Sequence, residues 1–309
     1  MRGWILALAL LWPSIAHGET SDIAITYDDL PALTLTEKQP YVNDFTRRLL
    51  AGLKRHHIPA IGFVNAGKID EIERKGQIAV LRQWLAAGME LGNHTFSHES
   101  PETLGTKGYI ADIAKGEPIL KRLLAQHHQK LRYFRHPFLH TGYPDDAKEQ
   151  INLWLADHHY RIAPVTMENS DWVFSEPYDD ALAKGDVAAA AHIKAEYLAY
   201  TQAMIDWYLA AGRSLFGRSI AHVMLLHASR LNADTVDDLA AMLAHNQLHP
   251  VSLTAAMQDP AYQTPDAYVG KNGPDWLWRW AIVLGKTLPK AGFIEPPAEI
   301  KAYYDRVDR

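Results

Sequence analysis

Ile23-Ala24-Ile25-Thr26-Tyr27-Asp28-Asp29-Leu30-Pro31 is a short apolar run that stops at two adjacent carboxylates. Ile23 to Tyr27 reads as a strand. Neighbouring residues of a strand face opposite ways, so Asp28 and Asp29 are not both ordinary solvent decoration unless the strand has ended. Two carboxylates at a strand's C-terminal end suit a division of labour, one binding a metal and the other handling a proton. The bland reading is a surface turn, for which Asp-Asp-Leu-Pro is a fair sequence.

Outward from this stretch, strand-like and helix-like runs alternate from residue 20 to about 255. Further strands are expected at Ala60–Asn65, Met89–Asn93, Leu131–Phe134, Tyr160–Thr166, Ala221–His227 and Pro250–Leu253. Helical patterns lie between them. Tyr41 to His57 carries Phe45, Leu49, Leu50 and Leu53 on one face. Gln77 to Ala87, Lys107 to His128, Asp145 to His158, about Asp186 to Leu215, and Thr235 to Asn246 follow. Strands separated by helices imply a parallel sheet with right-handed crossovers. The fold class is therefore α/β, and the count of units predicts a barrel one strand short of the (β/α)₈ type. Residues 256–309 break the alternation and read as a helical tail packed on the barrel.

The chain has 309 residues and 48% hydrophobic content, enough for a substantial core. A net charge of −5 gives no indication of nucleic-acid binding or of attraction to anionic membranes. There are no cysteines, which excludes disulfides, thiolate ligands and a cysteine nucleophile. Arg2, the apolar run Trp4 to Trp12, and Pro13 to Gly18 read as a secretory signal peptide over residues 1–18, cut after Gly18. The run is too short to span a bilayer. The expected division is leader 1–18, catalytic barrel 19–255 and extension 256–309. A periplasmic or secreted protein follows, with no membrane span in the mature chain.

In parallel α/β barrels catalysis sits at the C-terminal ends of the strands. Here the successive ends fall at Asp28-Asp29, Asn65, His94, Arg135, Glu168 with Asp171, and His227. Together they define a candidate site. His94 and His98 in Asn93-His-Thr-Phe-Ser-His98 are four apart, so on a helical turn both face one ion. The spacing alone is weak, because His136/His140 and His245/His249 share it. His245/His249 falls at the opposite end of the barrel. Pro137 breaks a regular turn between His136 and His140. Asp29 with His94 and His98 makes a set with coordination positions left for water and substrate, as a catalytic divalent site requires.

At this point the chain resembles the polysaccharide deacetylases (carbohydrate esterase family four). Thr26-Tyr-Asp-Asp-Leu-Pro31 resembles their Thr-Phe-Asp-Asp-Gly-Pro motif, and His94-Thr-Phe-Ser-His98 matches their His-(Ser/Thr)-x-x-His motif. Arg135-His-Pro137, Glu168-Asn-Ser-Asp171-Trp172 and Leu225-Leu-His227 resemble the remaining motifs, in order. The resemblance implies a distorted (β/α)₇ barrel, in agreement with the strand count. It also implies roles. Asp29, His94 and His98 bind a divalent metal, zinc being the best match to the donors. Asp28 is the general base and Arg135 holds it. His227 is the general acid and Asp171 keeps it protonated and aligned. The oxyanion is met by the metal, with a backbone N–H near Tyr27 or just past Arg135.

Departures from the family pattern are Leu30 for Gly, Tyr27 for Phe, Glu168 for Asp, and a displaced Gly142 after Phe138-Leu-His-Thr. The first two predict a bulkier wall beside the base. Tyr27, Asn65, Pro137 and Trp172 are candidate substrate contacts, although Asn65 could instead cap the following helix and Trp172 could be packing. Trp276, Trp278 and Trp280 suggest a sugar-stacking surface, but their spacing puts Trp276 and Trp280 on one helix face, better suited to docking. Tyr197, Tyr200, Trp207 and Tyr208 read as core in the long 186–215 segment, which could also shape the cleft. The expected activity is metal-dependent removal of acetyl groups from an N-acetylated glycan of the chitin, peptidoglycan or poly-N-acetylglucosamine kind. Its rivals are an O-acetyl esterase on a glycan such as xylan, a small-amide hydrolase, and an inert glycan-binding barrel. The expected partner is the carbohydrate substrate, with no nucleic acid; the sequence names no protein partner.

Overall fold

The computed structural model describes residues 20–308; the leader expected over residues 1–18, and its cleavage point, lie outside them. The strands are β1 (Ser21–Leu30), β2 (Ala60–Val64), β3 (Glu90–Asn93), β4 (Tyr133–Phe134), β5 (Arg161–Ile162), β6 (Met167–Glu168), β7 (His222–His227) and β8 (Leu248–Pro250). The helices are α1 (Gln39–Arg55), α2 (Arg74–Ala86), α3 (Pro101–Ala125), α4 (Asp145–Asp157), α5 (Asp171–Lys184), α6 (Val187–Phe216), α7 (Arg230–Asp234), α8 (Val236–His245), α9 (Leu253–Ala256), α10 (Trp276–Leu284) and α11 (Ala298–Val307).

The sheet runs β5-β4-β3-β2-β1-β7-β6, and β8 pairs with the first residues of β1. All its pairings are parallel. It curls into a half-barrel flanked by helices, the distorted barrel expected from the alternation. β1 lies between β2 and β7 and is buried almost throughout, which explains its unbroken apolar run. Val42, Phe45, Leu49 and Leu53 of α1 supply its buried stripe.

The expected strand Tyr160–Thr166 is corrected. Only β5, paired to β4, falls within it; Ala163-Pro164-Val165-Thr166 belong to no strand, and β6, paired to β7, begins just beyond them. Pro164 has no N–H for a ladder. The carbonyls of Ala163 and Pro164 instead accept from Arg135, at 2.9 and 3.4 Å. The barrel opens at this seam, and the tail fills it: the Trp276 N–H donates to the Val165 carbonyl at 2.7 Å. The last expected strand, Pro250–Leu253, falls earlier, at β8, and α5 is a helix that the alternation did not indicate.

The register brings the strand ends together. Asp28 on β1 pairs with His227 on β7, Val64 with Asn93, and Asn93 with Phe134. The next residues continue the ladder, with His94 N–H bonded to Val64 and Arg135 N–H to Asn93.

Candidate active site

The two carboxylates that open the reading reach one cleft through a bulge. Tyr27 pairs with Gly62 but Leu30 pairs with Val64, so β1 spends one more residue than β2 over the same span. Asp29 takes the left-handed conformation, at φ 61°. Adjacent residues that would alternate across a regular strand therefore both line the cleft. His98 shares the left-handed conformation, at φ 63°, and Thr95 at φ 67° lies between the two histidines. Strained backbone of this kind persists only where the surroundings impose it, and it clusters at functional sites.

Asp28 is buried and meets Nη1 of Arg135 with both oxygens at 3.2 Å. Arg135 is itself fully buried. Its other donors are spent on the Ala163 and Pro164 carbonyls and the Thr26 hydroxyl, and its guanidinium lies over the Phe63 ring at 4.6 Å. Opposite, Oδ1 of Asp171 meets Nδ1 of His227 at 2.7 Å. Burial works against charging His227, but Asp171, with Asp29 and Asp28 behind it, overrides burial and raises its pKa to about 9. The ring is an imidazolium at neutral pH, with Nε2 left for the cleft.

Asp29, His94 and His98 bring their donor atoms within 4.8 Å of one another, and among the described residues they are the group of three that fits a metal ion. Nε2 of His98 lies 3.2 Å from Oδ1 of Asp29, and Nε2 of His94 lies 3.7 Å from it. Nδ1 of His94 is taken up by the Arg135 carbonyl at 2.8 Å, which leaves Nε2 as the free donor atom. Burial pushes the His94 pKa down to about 4, so that atom carries a lone pair rather than a proton. Burial opposes the charge on Asp29, but His98, Lys68, His227 and His94 together hold its carboxyl well below the usual range. Oδ1 of Asp29 has no hydrogen-bond partner although buried. An orphaned carboxylate oxygen beside two imidazole nitrogens fits a divalent cation.

The cleft above these groups has a volume of about 840 Å³. Trp172 lines it, as its motif position suggests. Three other substrate candidates are corrected. Tyr27 is buried, packed edge-on against Trp84 at 5.5 Å. Asn65 is buried and does not line the cleft; it stands at the N-cap of the short 3-10 helix Ala66–Asp70 but makes no side-chain cap bond, and its amide instead donates to the His94 carbonyl at 2.6 Å. Pro137 is buried, and it is Phe138 and Leu139 after it that border the cleft. Leu30 fills the space beside Gly62, where a Cβ would lie 2.3 Å from its side chain, so its size matters to the core and not to the wall by the base.

His136 is buried against the Tyr109 hydroxyl at 3.0 Å, and His140 is held by Glu102 at 3.0 Å. Neither reaches the metal group. Glu168 does face the cleft, where burial and the nearby Asp275 and Asp171 raise its pKa to about 7.

Several residues in and beside the cleft were not foreseen. Lys68 places Nζ 3.3 Å from Oδ2 of Asp29. Phe138, in the left-handed conformation, lies 4.6 Å from the His98 ring. The tail supplies Gly273, Pro274, Asp275, Trp278, Phe293, Tyr304 and Asp308 to the cleft lining. Trp276 and Trp280 are buried in the docking face, as their spacing indicates. Trp278, two residues from each, therefore turns the other way, and that signal was present in the sequence. Tyr197, Tyr200, Trp207 and Tyr208 are core, although Tyr208 also reaches the cleft.

Residues 16–154 match the family model described as polysaccharide deacetylase. A peptidoglycan-N-acetylglucosamine deacetylase of Bacillus cereus is 26% identical over 155 residues, covering 49% of this chain and 46% of the relative. A chitin deacetylase of Colletotrichum lindemuthianum is 27% identical over 155 residues, covering 50% of this chain and 54% of the relative. The chain thus spans about half the length of the curated relatives it matches. Among solved structures, a mutant with restored enzymatic activity of a CE4 family pseudoenzyme from Bacillus anthracis superposes with a TM-score of 0.52. It is 18% identical, with 78% of this chain and 69% of that one covered. At that identity the likeness speaks for the fold. The resemblance to polysaccharide deacetylases read from five short motifs is borne out.

Proposed function

We propose that this chain is a secreted or periplasmic, metal-dependent deacetylase that hydrolyses the acetamido group of an N-acetylated glycan of the peptidoglycan or chitin kind. The observation that carries the reading is a pair of opposed couples in one cleft. Arg135 holds Asp28 and Asp171 holds His227, with Asp29, His94 and His98 between the couples.

A divalent ion held by Asp29, His94 and His98, zinc by the chemistry of the donors, would polarise the acyl carbonyl and lower the pKa of a water. The rest is work for the chain's own side chains. Asp28, held by the buried Arg135 guanidinium, takes a proton from the attacking water. His227 delivers its Nε2 proton to the departing nitrogen as the C–N bond breaks, so the products are acetate and an amine. Asp171 keeps the imidazole charged until that moment. Pocket aromatics such as Trp172 offer faces on which a sugar ring can stack. The leader-like residues 1–18 support export; among the described residues no helix is long and apolar enough to cross a membrane.

The ester reading drew on Leu30 and His140. Leu30 lies in the core and His140 turns to Glu102, so neither favours it. The inert-barrel reading is opposed by the completeness of both couples.

Acetate release by the mature protein tests the proposal. The substrates are N-acetylglucosamine oligomers, peptidoglycan fragments, acetylated xylan and an aryl acetate, each after chelation and with zinc restored. Metal-dependent release from the amides, abolished in Asp28→Asn, is expected. Release from esters alone would transfer the chain to the esterases, and saturable oligomer binding without any release would make it a binding barrel.

A further inference from the structure

The tail does more than cover the barrel seam. It meets the loop after Arg135 without a gap: Nη2 of the buried Arg279 donates to the Leu139 carbonyl at 2.6 Å, and a Cβ on Gly273 would lie 1.8 Å from the Phe138 carbonyl. From there the wall continues through Trp278 and Phe293, which pack with Trp207 at ring distances of 6.0 and 4.9 Å. It closes at Tyr304, whose ring stands edge-on to Trp172 at 5.0 Å. One side of the cleft, from His98 round to Trp172, is therefore fenced by the tail.

The other side is different. Leu33 and Glu176 border both the cleft and a second hollow of about 360 Å³, lined also by Lys68, Glu71 and Gln77. Gln77 is 2% exposed, and its Oε1 has no hydrogen-bond partner. A buried amide oxygen left without a partner beside a hollow is costly unless a ligand or water completes it. The hollow thus offers polar groups where the fenced side is aromatic, and among the described residues it continues the cleft on the side away from the tail.

Building on the deacetylase reading, we propose that the cleft is one-ended: it takes the terminal unit of a short N-acetylated glycan against Trp278 and Phe293, and the neighbouring unit extends into the Lys68–Gln77 hollow. Interior units of a long polymer do not reach the couples, because the chain cannot pass through the tail. The aromatic end stacks a sugar face, and Gln77 accepts from a hydroxyl or acetamido N–H of the next unit.

The test uses the full mature chain as the Asp28→Asn variant, titrated with N-acetylglucosamine oligomers of one to six units and followed by tryptophan fluorescence and calorimetry. Affinity is expected to rise up to two or three units and then stay flat. Trp278→Ala in that background should weaken every length about tenfold, and Gln77→Leu should weaken the longer oligomers but not the monomer. With active protein, mass spectrometry of the hexamer should find the lost acetyl on a terminal unit. Affinity that climbs through six units, or acetate lost equally from interior units, would overturn the one-ended cleft and leave the deacetylase reading standing. No binding at any length would also overturn it; if acetate is nevertheless released from another acetamide, the hydrolase chemistry survives without this substrate.

Discussion

Asp171 grips His227 with both carboxylate oxygens: Oδ1 meets the ring Nδ1 at 2.7 Å, and Oδ2 accepts the backbone N–H of the same residue at 2.7 Å. Asn232 adds its amide to Oδ2 and to the His227 carbonyl. The ring is thus fixed in orientation and in charge by one buried side chain. An acid must hold its proton, and with the pKa raised to about 9 that proton is present at neutral pH and lost as pH rises through about 9. In Asp171→Asn the alkaline limb of kcat/KM is expected to move down toward the ordinary imidazole range near 6.5. Activity at neutral pH should fall by roughly 10²–10⁴-fold. An unmoved limb would mean that His227 is not the acid.

Arg135 is the most expensive side chain of the site to lose. Its removal leaves the Asp28 carboxylate buried without its counter-charge and takes a donor from the Ala163 and Pro164 carbonyls; the Thr26 hydroxyl keeps its bond to the Met224 carbonyl. Breaking a buried pair from one side costs about 3–5 kcal/mol. Arg135→Met should show this in urea unfolding. Arg135→Lys should rescue little, because one ammonium cannot serve partners spread over a planar fork. The double change Asp28→Leu with Arg135→Met should recover part of the stability and none of the activity. A loss in the double variant equal to the sum of the two single losses would show that the pair is not coupled.

Much of this site was legible from where polar residues stop apolar runs. Asp28, Asp29 and His227 fall in the last residues of strands, His94 and Arg135 directly follow strands and Asp171 begins α5, and local pattern is enough to see that. Glu168 was visible for the same reason. Asn65 obeyed the same rule and misled, because a strand end can serve a backbone carbonyl as well as a ligand. Tyr27 misled because motif neighbourhood says nothing about which face of β1 a ring takes. The tail was invisible for a deeper reason. Its place depends on the seam between β5 and β6, where Arg135 takes the carbonyls of Ala163 and Pro164 and Trp276 the carbonyl of Val165, an arrangement with no periodicity to read. Lys68 lies in a short turn after β2, where no pattern marks a side chain that reaches Asp29.

Tyr27 and Asn65 give a matched pair of tests for that correction. The Tyr27 hydroxyl is buried without a partner, so Tyr27→Phe should leave kcat/KM unchanged and be neutral or stabilising in thermal unfolding. Asn65→Ala frees the His94 carbonyl inside the protein and should cost about 1–3 kcal/mol. A large rise in KM for Tyr27→Phe, without loss of stability, would return Tyr27 to the substrate.

The metal group can be tested by binding alone. Calorimetry of chelated protein with zinc is expected to show one strong site per chain, lost in His94→Ala and in His98→Ala. A ligand at about 100 times its Kd stabilises the folded state by about 2.7 kcal/mol, so chelation should lower Tm measurably and zinc should restore it. Removal of Lys68 is informative in the opposite direction. Its ammonium competes for Oδ2 of Asp29, so Lys68→Met should bind zinc as tightly as the wild type or more tightly. Weaker binding there would mean that Lys68 orients the carboxylate rather than competing for it.

Gly273→Ala probes how the tail reaches the chemistry. The added Cβ would sit 1.8 Å from the carbonyl oxygen of Phe138, a backbone atom that cannot rotate away. The loop has to move, and Phe138 rests on His98 at 4.6 Å, so the shift passes to a metal-group histidine. Displacements of about 1 Å at a reacting centre can cost about 10²-fold in rate. The expected result is therefore a clear loss in kcat, with a smaller loss in Tm than Arg135→Met and a change in zinc affinity. Phe138→Ala should separate the causes. It removes the ring that transmits the shift, so Gly273→Ala in that background should cost little further activity. Full additivity of the two changes would show that the tail acts through some other contact.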